Sequence, residues 1–157
     1  MAQTPWLDDD EMAAWRSFIT TSSDLVRAIE RDLQPFGLGF GDYQLLVVLS
    51  ESPDRRMKMC DLADVLRLSR GGLTRRMAGV LGAGLVERVP DEDDGRSAWA
   101  RLTPVGFALL RRAAPVHVRS VRARMIDLLT PTEIRALGSV FAKVGRRLDD
   151  EQRGEVA

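Results

Sequence analysis

A chain of 157 residues, 45% hydrophobic and 29% charged, has the size and composition of one globular domain. No apolar run approaches the roughly 18 residues of a membrane span. The first residues, MAQTPWLDDDE, carry neither the basic nor the apolar region of a signal peptide, and the single cysteine, Cys60, excludes an intrachain disulfide. A cytoplasmic protein is expected.

The formal net charge is zero, but the charge is unevenly placed. Residues 1–51 hold nine acids and three bases, whereas residues 55–76 hold seven bases and two acids. A short basic block of this kind fits a footprint for phosphates and equally fits a solvated helix face. Charge alone leaves both readings open.

In chain order, Asp8 with Glu11 resembles a capping box that starts a long first helix. Met12, Trp15, Phe18, Ile19, Ser22, Leu25, Val26, Ile29 and Leu33 then recur at steps of three and four, and Pro35 and Gly37 end it. GDYQLLVVLSE, 41–51, is a shorter and strongly apolar second helix, hence buried, and SPDRR is a loop. MCDLADVLRLS, 59–69, predicts a third helix with Leu62, Ala63 and Leu66 inward. Ser69 caps a fourth, with Leu73, Met77, Val80 and Leu81 as its buried stripe and Gly84 as its left-handed terminator. Two short helices with a tight break at 67–69, the second rich in arginine, match a helix-turn-helix.

LVERVP and RSAWARL follow as two strands of a hairpin that turns around Asp93 to Gly95, with Ala98, Ala100 and Leu102 on the inward face. Thr103-Pro104 caps the next helix, expected to run to Leu129 with a kink at Pro115. Thr130-Pro131-Thr132-Glu133 starts the last, which carries Ile134, Leu137, Val140, Phe141, Val144 and Leu148. The fold class is therefore mainly α with a small β-hairpin: a winged helix-turn-helix flanked by N- and C-terminal helices.

A hairpin directly after a recognition helix is a wing. An arginine at its tip, Arg96, suits the negative potential of the minor groove, and Asp94 two residues earlier is placed to hold the guanidinium. Asp91, Glu92 and Asp93 read as solvated turn. On the recognition helix, Arg70, Thr74 and Arg75 lie opposite the buried stripe, beside the cap Ser69 and the small Gly71. Arg76 lies one step round, where it meets a phosphate or a neighbouring acid. The alternative for the whole set is a solvated basic face.

The stretch LSRGGLTRRMAGVLGAGLVERVPDEDDGRSAWARLTPVG resembles the core of the multiple-antibiotic-resistance regulator (MarR) family. The shared pattern is Leu73-Thr74-Arg75, Gly84-Leu85-Val86-Glu87-Arg88, Asp94-Gly95-Arg96 and Leu102-Thr103, with Met59-Cys60-Asp61-Leu62-Ala63 upstream. Each tripeptide alone is weak; together at these spacings they are specific. Three departures stand out. Cys60 occupies the usual serine cap of the third helix, Gly71-Gly72 replaces small polar residues, and the first helix lacks the cysteine of the peroxide-sensing branch.

The layout expected is a single domain, 1–157, with dimerisation helices at 8–35 and 104–150 and the winged part at 41–103. The terminal helices carry more apolar stripe than so small a DNA-binding part can cover, so they should pack on a second copy. The resemblance implies a homodimeric repressor of a pseudo-palindromic operator in double-stranded DNA. It further implies release by a small aromatic or phenolic effector, for which Trp15, Phe36, Tyr43 and His117 are the lining candidates. No cofactor is expected.

Two other classes compete. An enzyme would need converging catalytic or metal-ligating residues, and one histidine and one cysteine are thin material for that. A winged-helix adaptor that binds protein rather than DNA would tolerate changes at Arg96.

Overall fold

Asp8 begins the first helix as the sequence predicts. Its carboxylate accepts from the Glu11 backbone N–H at 2.8 Å, and the Glu11 carboxylate accepts in return from the Asp8 N–H at 3.0 Å. This is the geometry of a computed structural model that describes residues 5–91 and 97–154. Helix α1 spans Asp9–Leu33, and Gly37, left-handed at φ 68°, turns the chain into α2, Phe40–Glu51. Helix α2 buries Tyr43, Leu45, Leu46 and Leu49 and forms the centre of the core.

A strand that the sequence did not suggest begins at the last residue of the expected SPDRR loop. After a short 3-10 turn at Pro53–Arg55, residues Arg56–Lys58 form β1. The wing is thus a three-stranded antiparallel sheet in the order β1-β3-β2, with β2 at Val86–Pro90 and β3 at Ala98–Leu102. Val86 pairs with Leu102 and Pro90 with Ala98 across the hairpin, while Arg56 pairs with Arg101 and Lys58 with Trp99 on the other edge. Ala98, Ala100 and Leu102 face inward, as their alternation predicts.

Helix α3 spans only Met59–Val65, shorter than expected, because Arg67 takes a left-handed conformation at φ 52°. Lys58, not Cys60, stands at its N-cap, and no side chain caps it; Cys60 is inside the helix and exposed. Helix α4 spans Arg70–Gly82 and buries Leu73, Met77 and Val80. Leu81 is 37% exposed, one residue beyond the buried stripe. The helix exit through Gly84, at φ 65°, follows the prediction.

Thr103 caps α5, Pro104–Arg124, by accepting from the Gly106 N–H at 3.0 Å. The helix continues past Pro115 but stops before Leu129, where a 3-10 turn at Ile126–Leu128 follows. Helix α6, Pro131–Gly154, opens with the predicted reciprocal cap: the Thr130 N–H donates to Glu133 at 2.7 Å and the Glu133 N–H donates to the Thr130 hydroxyl at 3.3 Å. Two compact units divide the chain, Met1–Val118 and Arg119–Ala157. The first contains the sheet and α1 to α4. The second contains α6, whose Val140, Phe141, Val144 and Leu148 are exposed. Among the described residues no helix is long and apolar enough to cross a membrane.

Candidate nucleic-acid interface

The break between α3 and α4 is tight. The Arg67 N–H donates to the Asp64 carbonyl at 3.0 Å and the Leu68 N–H to the Ala63 carbonyl at 2.8 Å, so the chain reverses within three residues. A left-handed Arg67 costs about 1–2 kcal/mol relative to the right-handed region. Ser69 then caps α4, its hydroxyl accepting from the Gly72 N–H at 3.1 Å. This leaves the positive end of a thirteen-residue helix at the surface, where backbone N–H groups and dipole favour an anion.

Arg70, Gly71, Thr74 and Arg75 are all exposed, on the side away from Leu73, Met77 and Val80. Thr74 donates its hydroxyl to the Arg70 carbonyl at 2.9 Å, which fixes its rotamer and leaves its lone pairs outward. A Cβ at Gly71 would meet nothing within 4 Å, so no intramolecular contact requires glycine there. At Gly72 a Cβ would lie 3.2 Å from the Ser69 hydroxyl, against the cap itself. Arg76 departs from this group: it is half-buried and lies against α2.

The base of the wing is held by a residue misread in the sequence. Asp91, expected in the solvated turn, is only 7% exposed. Its carboxylate accepts from the Ser97 hydroxyl at 2.6 Å and pairs with the Lys58 ammonium at 2.9 Å, and its N–H donates to the Ser97 carbonyl at 3.3 Å. The partner Lys58 comes from β1, the strand that local pattern did not reveal. Lys58 and Arg56 also lie over Trp99, with the guanidinium carbon of Arg56 4.8 Å from the ring centroid. The wing tip, including Asp94 and Arg96, lies outside the described residues.

Of the four candidate effector residues, the structure brings two together. Tyr43 and His117 have ring centroids 4.4 Å apart and line a cavity of about 480 Å³ with Phe40, Gln44, Val47, Val48, Val65, Leu66 and Arg67. Trp15 and Phe36 are not in its wall. Phe40, Val47 and Val48 were missed, although their spacing with Tyr43 and Gln44 marks one helical face. Burial lowers the His117 pKa below its ordinary 6.5, and its Nδ1 is buried with no hydrogen-bond partner among the described residues. Burial, then the charge of Glu51, raises the Tyr43 phenol above its ordinary value.

A helix-turn-helix whose second helix presents an open polar face, followed by a hairpin that a strand ahead of the motif completes into a three-stranded sheet, defines a winged helix-turn-helix transcription regulator. The comparisons agree. A family model described as MarR family matches residues 36–97. The transcriptional repressor Mb2911 of Mycobacterium bovis is 32% identical over 113 residues, spanning 72% of this chain and 79% of that one. Two solved MarR family regulators from Streptomyces coelicolor superpose with TM-scores of 0.90. AbsC is 40% identical, covering 94% of this chain and 99% of its own, and Sco3205, solved in complex with DNA, is 36% identical, covering 94% and 93%. The chain belongs to the MarR family.

Proposed function

We propose that the chain is a homodimeric transcriptional repressor that seats α4 in the major groove of a pseudo-palindromic operator. The observation that carries this reading is the outward face of the first turns of α4. Ser69 caps the helix, and Arg70, Gly71, Thr74 and Arg75 are exposed together. Arg75 is the residue placed to read a base edge, while Ser69 and the helix N-terminus take phosphate. Arg96, its guanidinium held by Asp94, would extend the contact into the minor groove; both lie beyond the described residues. The exposed apolar faces of α1 and α6 pack on the second copy, so that two α4 helices meet half-sites about one helical turn apart. Selection from a random DNA pool tests this. The expected product is a pseudo-palindrome with that spacing; a pool with no enriched sequence, and no binding even at low salt, favours the adaptor reading instead.

The Tyr43–His117 cavity is the seat we propose for an aromatic or phenolic effector. The cavity is mostly apolar, and the buried, unpartnered Nδ1 of a neutral His117 can accept from a phenol hydroxyl when the ring proton is on Nε2. Calorimetric titration with simple phenols and aromatic carboxylates, with and without operator, tests it: an effector and the DNA must weaken each other by the same factor. Affinity for the compound that is unchanged by saturating operator rejects the role.

A further inference from the structure

Gly41, the second residue of α2, is a helical glycine with no unusual backbone angle, at a position where alanine would favour the helix. What it provides is space. A Cβ at Gly41 would coincide with the guanidinium of Arg76, reaching its central carbon and both terminal nitrogens. Arg76 therefore occupies the space beside the first turn of α2, half-buried, while its neighbour Arg75 is exposed. The cleft around it is lined by Asp42, Leu68, Gly72, Arg75 and Gly79. Gly72, Arg76 and Gly79 fall at helical spacing along α4, so Arg76 stands between two glycines on the side turned to this cleft, which Arg75 also lines.

We propose that Arg76 is a positioning residue for DNA binding. Its rigid planar guanidinium, seated on Gly41, sets the angle between α4 and α2 and so aims Arg70, Thr74 and Arg75, and it does not itself neutralise a phosphate. The glycine-flanked face leaves the apolar stripe of Leu73, Met77 and Val80 as the other restraint, and apolar packing is less directional than a seated plane. The proposal rests on the reading of α4 as the recognition helix.

The test uses the full chain and its pool-selected duplex, with Gly41→Ala, Arg76→Ala and the double variant. Gly41→Ala evicts only the end of a flexible side chain and leaves its charge in place, so the fold survives, which a thermal melt verifies. Each single variant is expected to weaken binding about tenfold. The slope of log affinity against log salt should stay unchanged, and the double variant should be no worse than Arg76→Ala alone. A slope reduced by about two units per dimer in Arg76→Ala, with Gly41→Ala binding normally, makes Arg76 a phosphate contact and overturns the proposal. Wild-type affinity in both single variants overturns it as well. A wild-type chain that selects no duplex overturns the underlying reading, and the proposal with it.

Discussion

The winged part and the terminal helices treat their apolar residues in opposite ways. Leu45, Leu46, Leu49 and Leu62 have no exposed surface, and the stripe of α4 ends in Val80 at 2%. Along α1, by contrast, only Ala28, Ile29 and Leu33 near its C-terminal end are buried, and Trp15 is 54% exposed. On α6, Val144 is 50% exposed. Both terminal helices are strongly amphipathic, so their exposed faces are organised rather than scattered. One region closes its core with its own chain; the other presents apolar surface, which the proposed second copy would cover. With the proposed dimer, the difference would separate two kinds of stability, one independent of protein concentration and one set by it.

The largest effect expected is in the closed region. Leu46→Ala should cost about 2–5 kcal/mol in urea unfolding, whatever the protein concentration. Next comes Gly106, where a Cβ would strike the Leu85 carbonyl oxygen and come within 2.9 Å of the Leu102 side chain. Both neighbours are fixed, the first by hydrogen bonds from the Thr103 N–H and hydroxyl, so Gly106→Ala should cost about 1–3 kcal/mol by the same measurement.

In the open region, Val144→Ala should leave unfolding of a dilute sample nearly unchanged. It should weaken dimerisation in sedimentation equilibrium by roughly 1 kcal/mol per copy. A loss of stability from Val144→Ala that is the same at every concentration would erase the distinction between the regions.

The smallest effect concerns pH. Because burial holds the folded-state pKa of His117 below 6.5, the unfolded chain binds its proton more readily. The stability it contributes is complete above pH 6.5 and is lost as pH falls from there through the lower folded-state value. His117→Gln should flatten this part of the stability profile between pH 7 and 5; an unchanged slope would mean that the imidazole is not held neutral by the cavity.

Much of this was legible from local chemistry. The caps at Asp8, Ser69, Thr103 and Thr130 are written in adjacent side chains and formed as predicted. So did the inward alternation of Ala98, Ala100 and Leu102. What escaped depends on partners distant in sequence. Strand β1 is three residues long, too short to show alternation, and exists because β3 pairs with it. Asp91 sits among acids that look solvated, and only the Lys58 it meets from β1 draws it inward. Tyr43 and His117 can be named from the sequence as lining candidates but not placed side by side, and the stripe that holds Trp15 fits a core or dimer interface better than a ligand box. For Arg76, sequence spacing leaves a phosphate or a neighbouring acid as its partner and does not reveal the space that Gly41 leaves beside it.

The central claim, that the outer face of α4 reads DNA sequence, is tested most directly by equilibrium affinity of wild-type and Arg75→Ala protein for the pool-selected duplex and a scrambled one. The account predicts a loss of about 1–3 kcal/mol per contacted half-site on the selected duplex, with little change on the scrambled one and relaxed preference at one symmetric position. Equal losses on both duplexes, or none on either, would contradict it.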